Sequence, residues 1–295
     1  MARLSAEQAL PSARATLRSF ERASRTFAAA CPVHDEARRR LLERLPWMRI
    51  EPRTIIDLGC ALGAGAQALA ASYPAARVIG IDWSPAMLGA AAQLHSEARS
   101  VDFFVADATQ LALPRASVDL IFSNLLLPWC PQEAVFKEVA RILADGGLFL
   151  FSTLGPDTLQ EVRRAWAATD DQIHVHGCFD MHDLGDLATS QGLLEPVLDV
   201  DRIELTYRDV ASMVADLRGC GATNIAAGRR RTLTGPRRWA AFEQALLAAR
   251  RAGKISLTVE LILGQAWGSG RARPLPDSDR EFSVPVDTIR RRPPV

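Results

Sequence analysis

Residues 54–65, with the sequence TIIDLGCALGAG, decide the fold of this 295-residue chain. Thr54–Leu58 is a short run of β-branched and apolar residues that a glycine stops, which is typical of a buried strand. A helical pattern follows over residues 63–72. Small residues at a strand-to-helix turn let the backbone approach a ligand, and they point the amino end of the helix at it. The stretch therefore predicts a ligand-binding turn at the carboxyl end of a buried strand.

The alternation of strand and helix patterns continues along the chain. Further strands are predicted for residues 77–82, 101–106, 118–123 and 148–153, with helices between them that include residues 132–143. Short connections between alternating strands and helices predict an α/β fold with a parallel, doubly wound, Rossmann-like sheet.

The pattern changes after the fifth strand. Helical patterns over residues 156–169 and 181–191 precede a long strand at 196–205, and a final strand is predicted at 255–267. Two late strands some fifty residues apart predict an antiparallel C-terminal hairpin with a helical lid inserted into it.

The predicted organisation therefore has five segments. The first holds helices at residues 5–30 and 33–45, and the last is rich in Pro and Arg with little periodicity, which predicts disorder. The segments are an N-terminal helical cap (1–53), the α/β core (54–205), the helical lid (206–254), the final core strand (255–267) and a disordered tail (268–295).

Two more acidic residues stand where predicted strands end. Asp82 ends the second strand, and Asp107 follows the third in the sequence VADA. Carboxyl ends of parallel strands meet at one edge of the sheet, where an acid can accept hydrogen bonds from ribose hydroxyls and another can reach an adenine amino group. A nicotinamide cofactor requires the pattern G-x-G-x-x-G, which the turn at Gly59 and Gly63 does not have.

These motifs resemble those of class I S-adenosylmethionine methyltransferases. The resemblance implies that Asp57 and Gly59 line the methionine end of the cosubstrate, that Asp82 holds the ribose, and that Asp107 with Ala108 meets the adenine. Asn124, after the fourth strand, would border the transferred methyl group. Ala61 replaces the usual central glycine of the turn and fits unless that position requires a positive φ. The implied cosubstrate-binding set is Phe27, Asp57, Gly59, Gly63, Asp82, Trp83, Asp107, Ala108 and Asn124.

Segments outside the core resemble one subgroup, the malonyl-[acyl-carrier protein] O-methyltransferases of biotin synthesis. They include FERASRTF at residues 20–27, SNLLLPWC at 123–130, FSTLGPDTL at 151–159, DLRGCGATN at 216–224 and SLTVELILG at 256–264. Phe27 stands where many relatives carry Tyr, so a phenol contact is replaced by a plain aromatic cap. The implied activity is esterification of the free carboxylate of a malonyl group on its carrier protein.

Three other functions remain open at this stage. The chain also resembles the respiratory complex I assembly factor that hydroxylates a protein arginine on a methyltransferase fold. A non-catalytic cosubstrate-binding scaffold and a small-molecule methyltransferase are further alternatives, because a fold alone does not fix a function.

The implied chemistry needs no general base. A malonyl carboxylate is ionised at pH 7, so catalysis requires alignment and desolvation rather than proton transfer. Arginine is the natural receptor for a carboxylate, and we expect Arg218 in the lid motif to serve, with Arg25 and Arg141 as the next candidates. Trp129 is expected to form a wall of the acyl pocket. The predicted catalytic set is therefore Arg218, Trp129 and Asn124.

Charge and cysteine content restrict partners and compartment. Residues 54–205 carry a net charge of −12 and residues 206–254 carry +7, which disfavours nucleic acid and favours an acidic partner such as the carrier protein. Five widely spaced cysteines, without a C-x-x-C pair, favour a reducing compartment.

No run approaches the length of a membrane span and no secretory signal is visible, so a cytoplasmic protein is expected. His174, His176 and His182 suggest no closed ligand set, so no metal is expected.

Overall fold

The computed structural model describes residues 11–96 and 101–269, which include a seven-stranded sheet. Its strands are β1 (Thr54–Leu58), β2 (Arg77–Asp82), β3 (Asp102–Val105), β4 (Val118–Asn124), β5 (Leu143–Leu154), β6 (Leu194–Tyr207) and β7 (Ile255–Trp267). They lie in the order β3-β2-β1-β4-β5-β7-β6. Neighbours among the first five strands are parallel, and β7 runs antiparallel between β5 and β6. The predicted doubly wound sheet with an antiparallel C-terminal hairpin is confirmed.

The helices fall into three groups along the chain. One group precedes the sheet, one alternates with its strands, and one lies between β6 and β7. They are α1 (Ala13–Ala23), α2 (Phe27–Ala30), α3 (Pro32–Leu42), α4 (Ala64–Ser72), α5 (Pro85–Leu94), α6 (Gln132–Ile142), α7 (Gln160–Ala167), α8 (Met181–Ser190), α9 (Val210–Gly219) and α10 (Pro236–Ala248), with short 3-10 turns at Leu45–Trp47 and Leu127–Trp129.

The central strands of the sheet are buried on both faces, whereas the edge strands β3 and β6 are largely exposed. Successive side chains of a strand point in opposite directions, so neighbours in the chain pack in different layers. Ile56 packs in one apolar cluster with Val135 and Phe136 of α6. Its neighbour Ile55 packs in a second cluster with Leu41 of α3 and Leu69 of α4. The uninterrupted burial of residues 55–58 is therefore explained by their place between two layers of helices.

One predicted boundary in the core is wrong. The predicted helix over residues 132–143 and strand over 148–153 leave residues 144–147, which include Gly146 and Gly147, as a connection, but β5 already begins at Leu143. Leu143 pairs with Val118, and the register then shifts before Leu120 pairs with Leu148. The glycines therefore lie in an irregular part of a longer strand and do not form a separate turn.

The predicted helix over residues 5–30 is also interrupted. Within the described part, α1 ends at Ala23 and α2 begins at Phe27. The Ser24 hydroxyl donates to the carbonyl of Glu21 at 2.9 Å, and the Thr26 hydroxyl donates to that of Gly219 at 2.9 Å. Hydroxyl side chains that bond backbone carbonyls in this way favour turns over a continuing helix.

The cap and the lid meet along a seam of hydrogen bonds. The Ser12 amide donates to the carbonyl of Ile225 at 2.9 Å. The Ser19 hydroxyl donates to the carbonyl of Gly221 at 3.0 Å and lies 2.9 Å from the hydroxyl of Thr223. Because α1 is tied to the lid at several points, the two segments support each other. The lid itself is inserted after Tyr207, two residues later than predicted.

The end of the described chain belongs to the sheet. The Gly268 amide donates to the carbonyl of Gly147 at 2.8 Å, and its carbonyl accepts from the Gly146 amide at 3.0 Å. The predicted tail thus begins after this residue, and its residues 270–295 lie outside the described residues, as does the predicted start of the cap. Within residues 11–96 and 101–269, no helix is long and apolar enough to cross a membrane.

Candidate active site

A cavity of about 420 Å³ opens at the carboxyl ends of β1, β2 and β4. The sheet order reverses between β1 and β4, and open α/β sheets bind ligands at such a switch point. Cap residues from α1, α2 and α3 form the other side of the cavity. The predicted binding residues Phe27, Asp57, Gly59, Asp82, Trp83, Asp107, Ala108 and Asn124 all line it, as does Trp129.

Asp57 is the most deeply buried acid of the cavity. Its side chain is 2% exposed at the end of β1, and the Ala66 amide at the start of α4 donates to its carboxyl group. Burial, with a smaller contribution from the nearby charge of Asp82, raises the pKa of Asp57 to about 7, although the Ala66 hydrogen bond and Arg38 oppose the shift. A bound cation beside this carboxyl group would stabilise its ionised form, which burial disfavours.

Asp82 fixes the turn on which the site is built. Its Oδ2 atom accepts from the Ala61 amide at 3.0 Å, and its Oδ1 atom accepts from the Ser84 amide at 2.8 Å. Burial raises the pKa of Asp82, and these amides oppose the shift. Each carboxylate oxygen retains a second lone pair, so the side chain can hold two turns and still accept from a diol.

Ala61 adopts a φ of 47°, which lies in the left-handed region that favours glycine. Alanine was expected to fit unless this position requires a positive φ. The position does have a positive φ, so the turn accommodates a strained alanine. Gly59 has a φ of 78°, and a Cβ atom there would approach the Leu126 side chain to 2.9 Å. Glycine is needed at that position for both conformation and space.

Asp107 is exposed at the rim of the cavity. Its Oδ1 atom accepts from both the amide and the hydroxyl of Thr109, at 2.9 and 2.7 Å. This Asx turn fixes the carboxylate beside Ala108, and Oδ2 has no hydrogen-bond partner within the described part of the chain. The geometry suits an acceptor for an exocyclic amino group at the open end of the cavity.

Asn124 connects the sheet to the cap. Its Nδ2 atom donates to the carbonyl of His34 at 3.0 Å, and its Oδ1 atom accepts from the Ser152 hydroxyl at 2.8 Å. Both ends of the amide are therefore engaged by the protein. Asn124 positions α3 over the cavity in addition to lining it.

An aromatic wall closes the cavity on the cap side. The rings of Phe20 and Trp129 meet edge to face at 5.2 Å, and Phe20 lies 6.4 Å from Phe27. Trp129 also packs on His176 at 4.9 Å. These rings create the dry, apolar boundary that an acyl chain and a reacting methyl group require.

Three cap residues that the sequence did not single out also line the cavity: Phe20, His34 and Arg38. The Nδ1 atom of His34 is buried and has no hydrogen-bond partner in the described structure. Burial lowers the pKa of His34 to about 4, so the ring is neutral at pH 7. Arg38 forms an ion pair with Asp35 at 2.8 Å. Only the tertiary placement of α1, which carries Phe20, and of α3, which carries His34 and Arg38, brings them to the cavity.

Two predicted site residues do not line the cavity. Gly63 caps α4 with a φ of 79°, and a Cβ atom there would approach the Phe103 ring to 2.7 Å, so its place is in the turn behind the cavity. Arg218 is exposed at the end of α9, because that turn of the helix faces solvent. Among the described residues that line the cavity, the arginine is Arg38, and none of the lining residues belongs to the lid.

The alternative carboxylate receptors are also outside the cavity. Arg25 is exposed. Arg141 bonds the carboxylate of Glu138 at 2.7 Å and the carbonyls of Leu111 and Leu113. Its donors hold the loop before β4.

The histidines between residues 174 and 182 make separate contacts with different partners. His174 bonds Asp170 at 2.7 Å and stacks on Trp166, and His182 bonds Asp180 at 2.6 Å next to the start of α8. Across residues 11–96 and 101–269, no group of three or more His, Cys, Asp or Glu side chains is arranged to hold a metal ion.

The cavity fits a zwitterionic nucleoside ligand. A Cβ atom on Gly65 would lie 2.6 Å from Oδ2 of Asp57, so a larger residue there would displace that carboxyl group. Asp57 suits an ammonium group, Arg38 a carboxylate, Asp82 a diol and Asp107 an amino group. S-adenosylmethionine carries these four groups on one molecule.

Comparison with known proteins places this site in a family. Residues 56–151 match the family described as "Methyltransferase domain". Over 283 residues the chain is 36% identical to malonyl-[acyl-carrier protein] O-methyltransferase of Gallionella capsiferriformans (strain ES-2), covering 93% of this chain and 96% of the relative. It is 39% identical over 267 residues to the protein of that name from Methylovorus sp. (strain MP688), covering 88% and 90%.

Solved structures agree on the fold. The YcgJ protein of Bacillus subtilis aligns with a TM-score of 0.56 at 18% identity, over 78% of this chain and 98% of its own. Phosphoethanolamine N-methyltransferase 2 of Haemonchus contortus, in complex with S-adenosyl-L-methionine, aligns with a TM-score of 0.50 at 16% identity, over 78% and 52%. With its class I methyltransferase fold, the chain belongs to the malonyl-[acyl-carrier protein] O-methyltransferase family.

Proposed function

We propose that this protein transfers a methyl group from S-adenosylmethionine to the free carboxylate of malonyl-[acyl-carrier protein], an early step of biotin synthesis. The observation that carries the proposal is the set of side chains around the cavity. Asp57, Arg38, Asp82 and Asp107 match the ammonium, carboxylate, ribose and adenine groups of the cosubstrate. The relatives named above supply the acceptor, since each carries malonyl-[acyl-carrier protein] in its name.

The chemistry asks little of the protein beyond positioning. The bound cosubstrate supplies an activated methyl group on a sulfonium centre. The acceptor carboxylate is ionised at pH 7, and its oxygen is the nucleophile without loss of a proton. Trp129 and Phe20 exclude water from the reacting groups, and Asn124 holds α3 in place over them. Methylation removes the acceptor's charge, so release of the ester is favoured over release of the acid.

The residue that receives the acceptor carboxylate remains a prediction. Arg218 was expected on the sequence pattern, and it lies outside the cavity in this structure. The test is Arg218→Ala: loss of turnover with unchanged cosubstrate binding would assign it the role, and full activity would exclude it. No observation favours the arginine hydroxylase alternative, and the named relatives are methyltransferases.

One assay tests the proposed function. Purified protein is incubated with methyl-labelled S-adenosylmethionine and malonyl-carrier protein, and the product is examined for an alkali-labile methyl ester. Acetyl-carrier protein lacks the carboxylate and is expected to be inert. Succinyl-carrier protein is longer by one methylene and is expected to react about a hundredfold more slowly, because a misplacement near 1 Å has such a cost. Comparable methylation of the acetyl carrier contradicts the proposal.

We also propose that the enzyme is cytoplasmic. The cysteines Cys31, Cys60, Cys130, Cys178 and Cys220 are all free. Free cysteines are characteristic of reducing compartments, which supports a cytoplasmic enzyme.

A further inference from the structure

A row of exposed arginines lies on α1. Arg14, Arg18 and Arg22 recur every four residues, so they lie on one side of the helix, and all three are exposed. None has a side-chain hydrogen bond or ion pair within residues 11–96 and 101–269. We call these three residues the arginine row.

The other arginine-rich helix of the cap is different. On α3, Arg39 and Arg40 bond Glu36, and Arg40 also pairs with Asp201 of β6. Arg44, just beyond α3, pairs with Asp199 at 2.6 Å. Like charges four residues apart destabilise a helix, and on α3 acids compensate them. Glu21 is the acid on the same side of α1, and within the described residues its carboxylate pairs with none of the three arginines. The row therefore keeps a net positive charge that is open to contact with another molecule.

The helix that carries the arginine row also lines the cavity. Ala13 and Phe20 of the same helix line the cavity, while Thr16 and Ala23 are buried. One side of α1 thus closes the site, and the other presents three positive charges to solvent. A partner on this surface would therefore bind a helix that also lines the site for its cargo.

The arginine row is also held rigidly. Ser12 and Ser19 bond the lid strip 221–225 at 2.9 to 3.0 Å. In the lid, by contrast, Arg229 donates to the carbonyl of Ala226 and Arg230 donates to Leu233 and Thr234. Arg229 and Arg230 are thus engaged by atoms of the lid itself, whereas none of the three arginines of the row has such a bond within the described residues.

We propose that the arginine row is the docking surface for the acidic face of the acyl-carrier protein, an inference that rests on the proposed function. Complementary charge would speed encounter and orient the partner. The malonyl group, on its flexible arm, would then enter the cavity beside Phe20 while the carrier protein remains on α1. The net charge of −12 over residues 54–205 disfavours a long polyanion such as nucleic acid on the same side.

The test compares two acceptors in charge-reversed variants. Arg14→Glu, Arg18→Glu and Arg22→Glu are combined in one protein. The matched control combines Arg49→Glu, Arg53→Glu and Arg115→Glu, which make the same charge change at exposed positions. Arg53 and Arg115 stand before β1 and β4, at the opposite edge of the sheet from the cavity. Malonyl-carrier protein is compared with malonyl-pantetheine, which carries the same thioester without the protein.

The α1 variant is expected to raise the KM for malonyl-carrier protein about tenfold or more at low salt, with the KM for malonyl-pantetheine changed less than about twofold. The control variant should leave both values within about twofold. The difference between wild type and the α1 variant should shrink as salt rises, because screening weakens steering. Should the reversed protein fail to fold, the triple Arg→Gln variant is measured instead and should show the same acceptor-specific change.

Each other outcome has a distinct meaning. An unchanged KM for the carrier protein, or equal losses with both acceptors, overturns docking on α1 and leaves the proposed function in place. An equal effect of the control variant also overturns it, since net charge alone would then be responsible. If the wild-type protein methylates neither malonyl acceptor, the proposed function fails, and the docking proposal fails with it.

Discussion

The residue with the clearest conformational cost is Ala61, at the centre of the cosubstrate turn. Its φ of 47° is left-handed, and its amide must stay in place because it donates to Asp82. We expect Ala61→Gly to raise the free energy of unfolding by roughly 0.5–1 kcal/mol. The relief of about 1–2 kcal/mol of strain exceeds the entropy cost of glycine, which is about 0.5–1 kcal/mol.

The matched control is Ala92→Gly, at an exposed position inside α5. There the backbone is helical, so glycine should lower the free energy of unfolding by about 1 kcal/mol. Denaturant titration of both variants measures the sign of each change in the free energy of unfolding. A loss of stability in both would mean that the turn at Ala61 is not strained.

Asp57 makes ligand binding depend on pH. Its pKa is raised to about 7 in the folded protein from an ordinary value of about 3.9. Between these values the folded state binds a proton that the unfolded state does not, so stability without ligand falls as pH rises through this window. A bound ammonium group reverses this preference, because it favours the carboxylate.

We therefore expect S-adenosylmethionine binding to release a proton near pH 6, with an affinity that rises toward pH 7 and then levels. Calorimetry in buffers of different ionisation enthalpy measures the proton released. Asp57→Asn should abolish the release and weaken binding, and it should be more stable than the wild type at pH 8 but not at pH 4. Binding without proton exchange in the wild type would show that Asp57 does not meet the ammonium group.

At the scale of elements, the start of α4 is fitted closely against β1. A Cβ atom on Gly65 would lie 2.6 Å from Oδ2 of Asp57, whereas one on Gly89 of α5 would meet nothing within 4 Å. Gly65→Ala should weaken S-adenosylmethionine binding about tenfold or more, since a displaced charged hydrogen bond costs about 1.5–3 kcal/mol. Gly89→Ala should leave binding unchanged and stabilise the helix by about 0.5–1 kcal/mol. Equal affinities for the two variants would argue against a close fit at Asp57.

Helix α3 offers a paired test of the amino-acid end of the cavity. Arg38 lines the cavity, and the next residue, Arg39, is exposed and paired with Glu36 and Glu43. Arg38→Ala should weaken S-adenosylhomocysteine binding about tenfold, and Arg38→Lys should recover part of it. Methylthioadenosine lacks the amino-acid end, so its affinity should not change, and Arg39→Ala should affect neither ligand. Equal losses for both ligands would mean that Arg38 acts on the fold of the cap.

The elements that the sequence predicts best are those whose pattern is set by burial. The bounds of β1, β2 and β7 agree with prediction because each is an apolar run with a clear stop. The early start of β5 was missed, since Leu143 joins the sheet only through its pairing with Val118. The acids at strand ends were predictable from spacing. His34 and Arg38 were not, because they reach the cavity only when α3 packs over the sheet.

At the scale of the whole molecule, the cavity is shared between the sheet and the cap, and the lid acts on it through the cap. The lid strip 221–225 and the neighbouring Gly219 hold Ser12, Ser19 and Thr26 by hydrogen bonds, and they contribute no lining residue within the described chain. The sequence motif at residues 216–224 therefore has a structural place even without Arg218 in the cavity. Its Asn224 donates to the carbonyl of Ile173 at 2.6 Å and so ties the lid to the loop beneath Trp129.

The extent of the folded molecule gives a last prediction. Gly268 is buried and exchanges hydrogen bonds with Gly146 and Gly147, and Trp267 pairs with Leu148. A chain that ends at Gly270 keeps all of these contacts, and the removed residues 271–295 lack the apolar periodicity that a docked segment needs. We expect it to retain the melting temperature and the methylation rate of the full chain. A chain that ends at Leu263 loses the end of β7 between β5 and β6, and it should melt at a markedly lower temperature or fail to fold. Loss of activity already in the chain ending at Gly270 would assign residues 271–295 a role in the reaction, and calorimetry with S-adenosylmethionine would then decide whether that role lies in cosubstrate binding or in the acceptor.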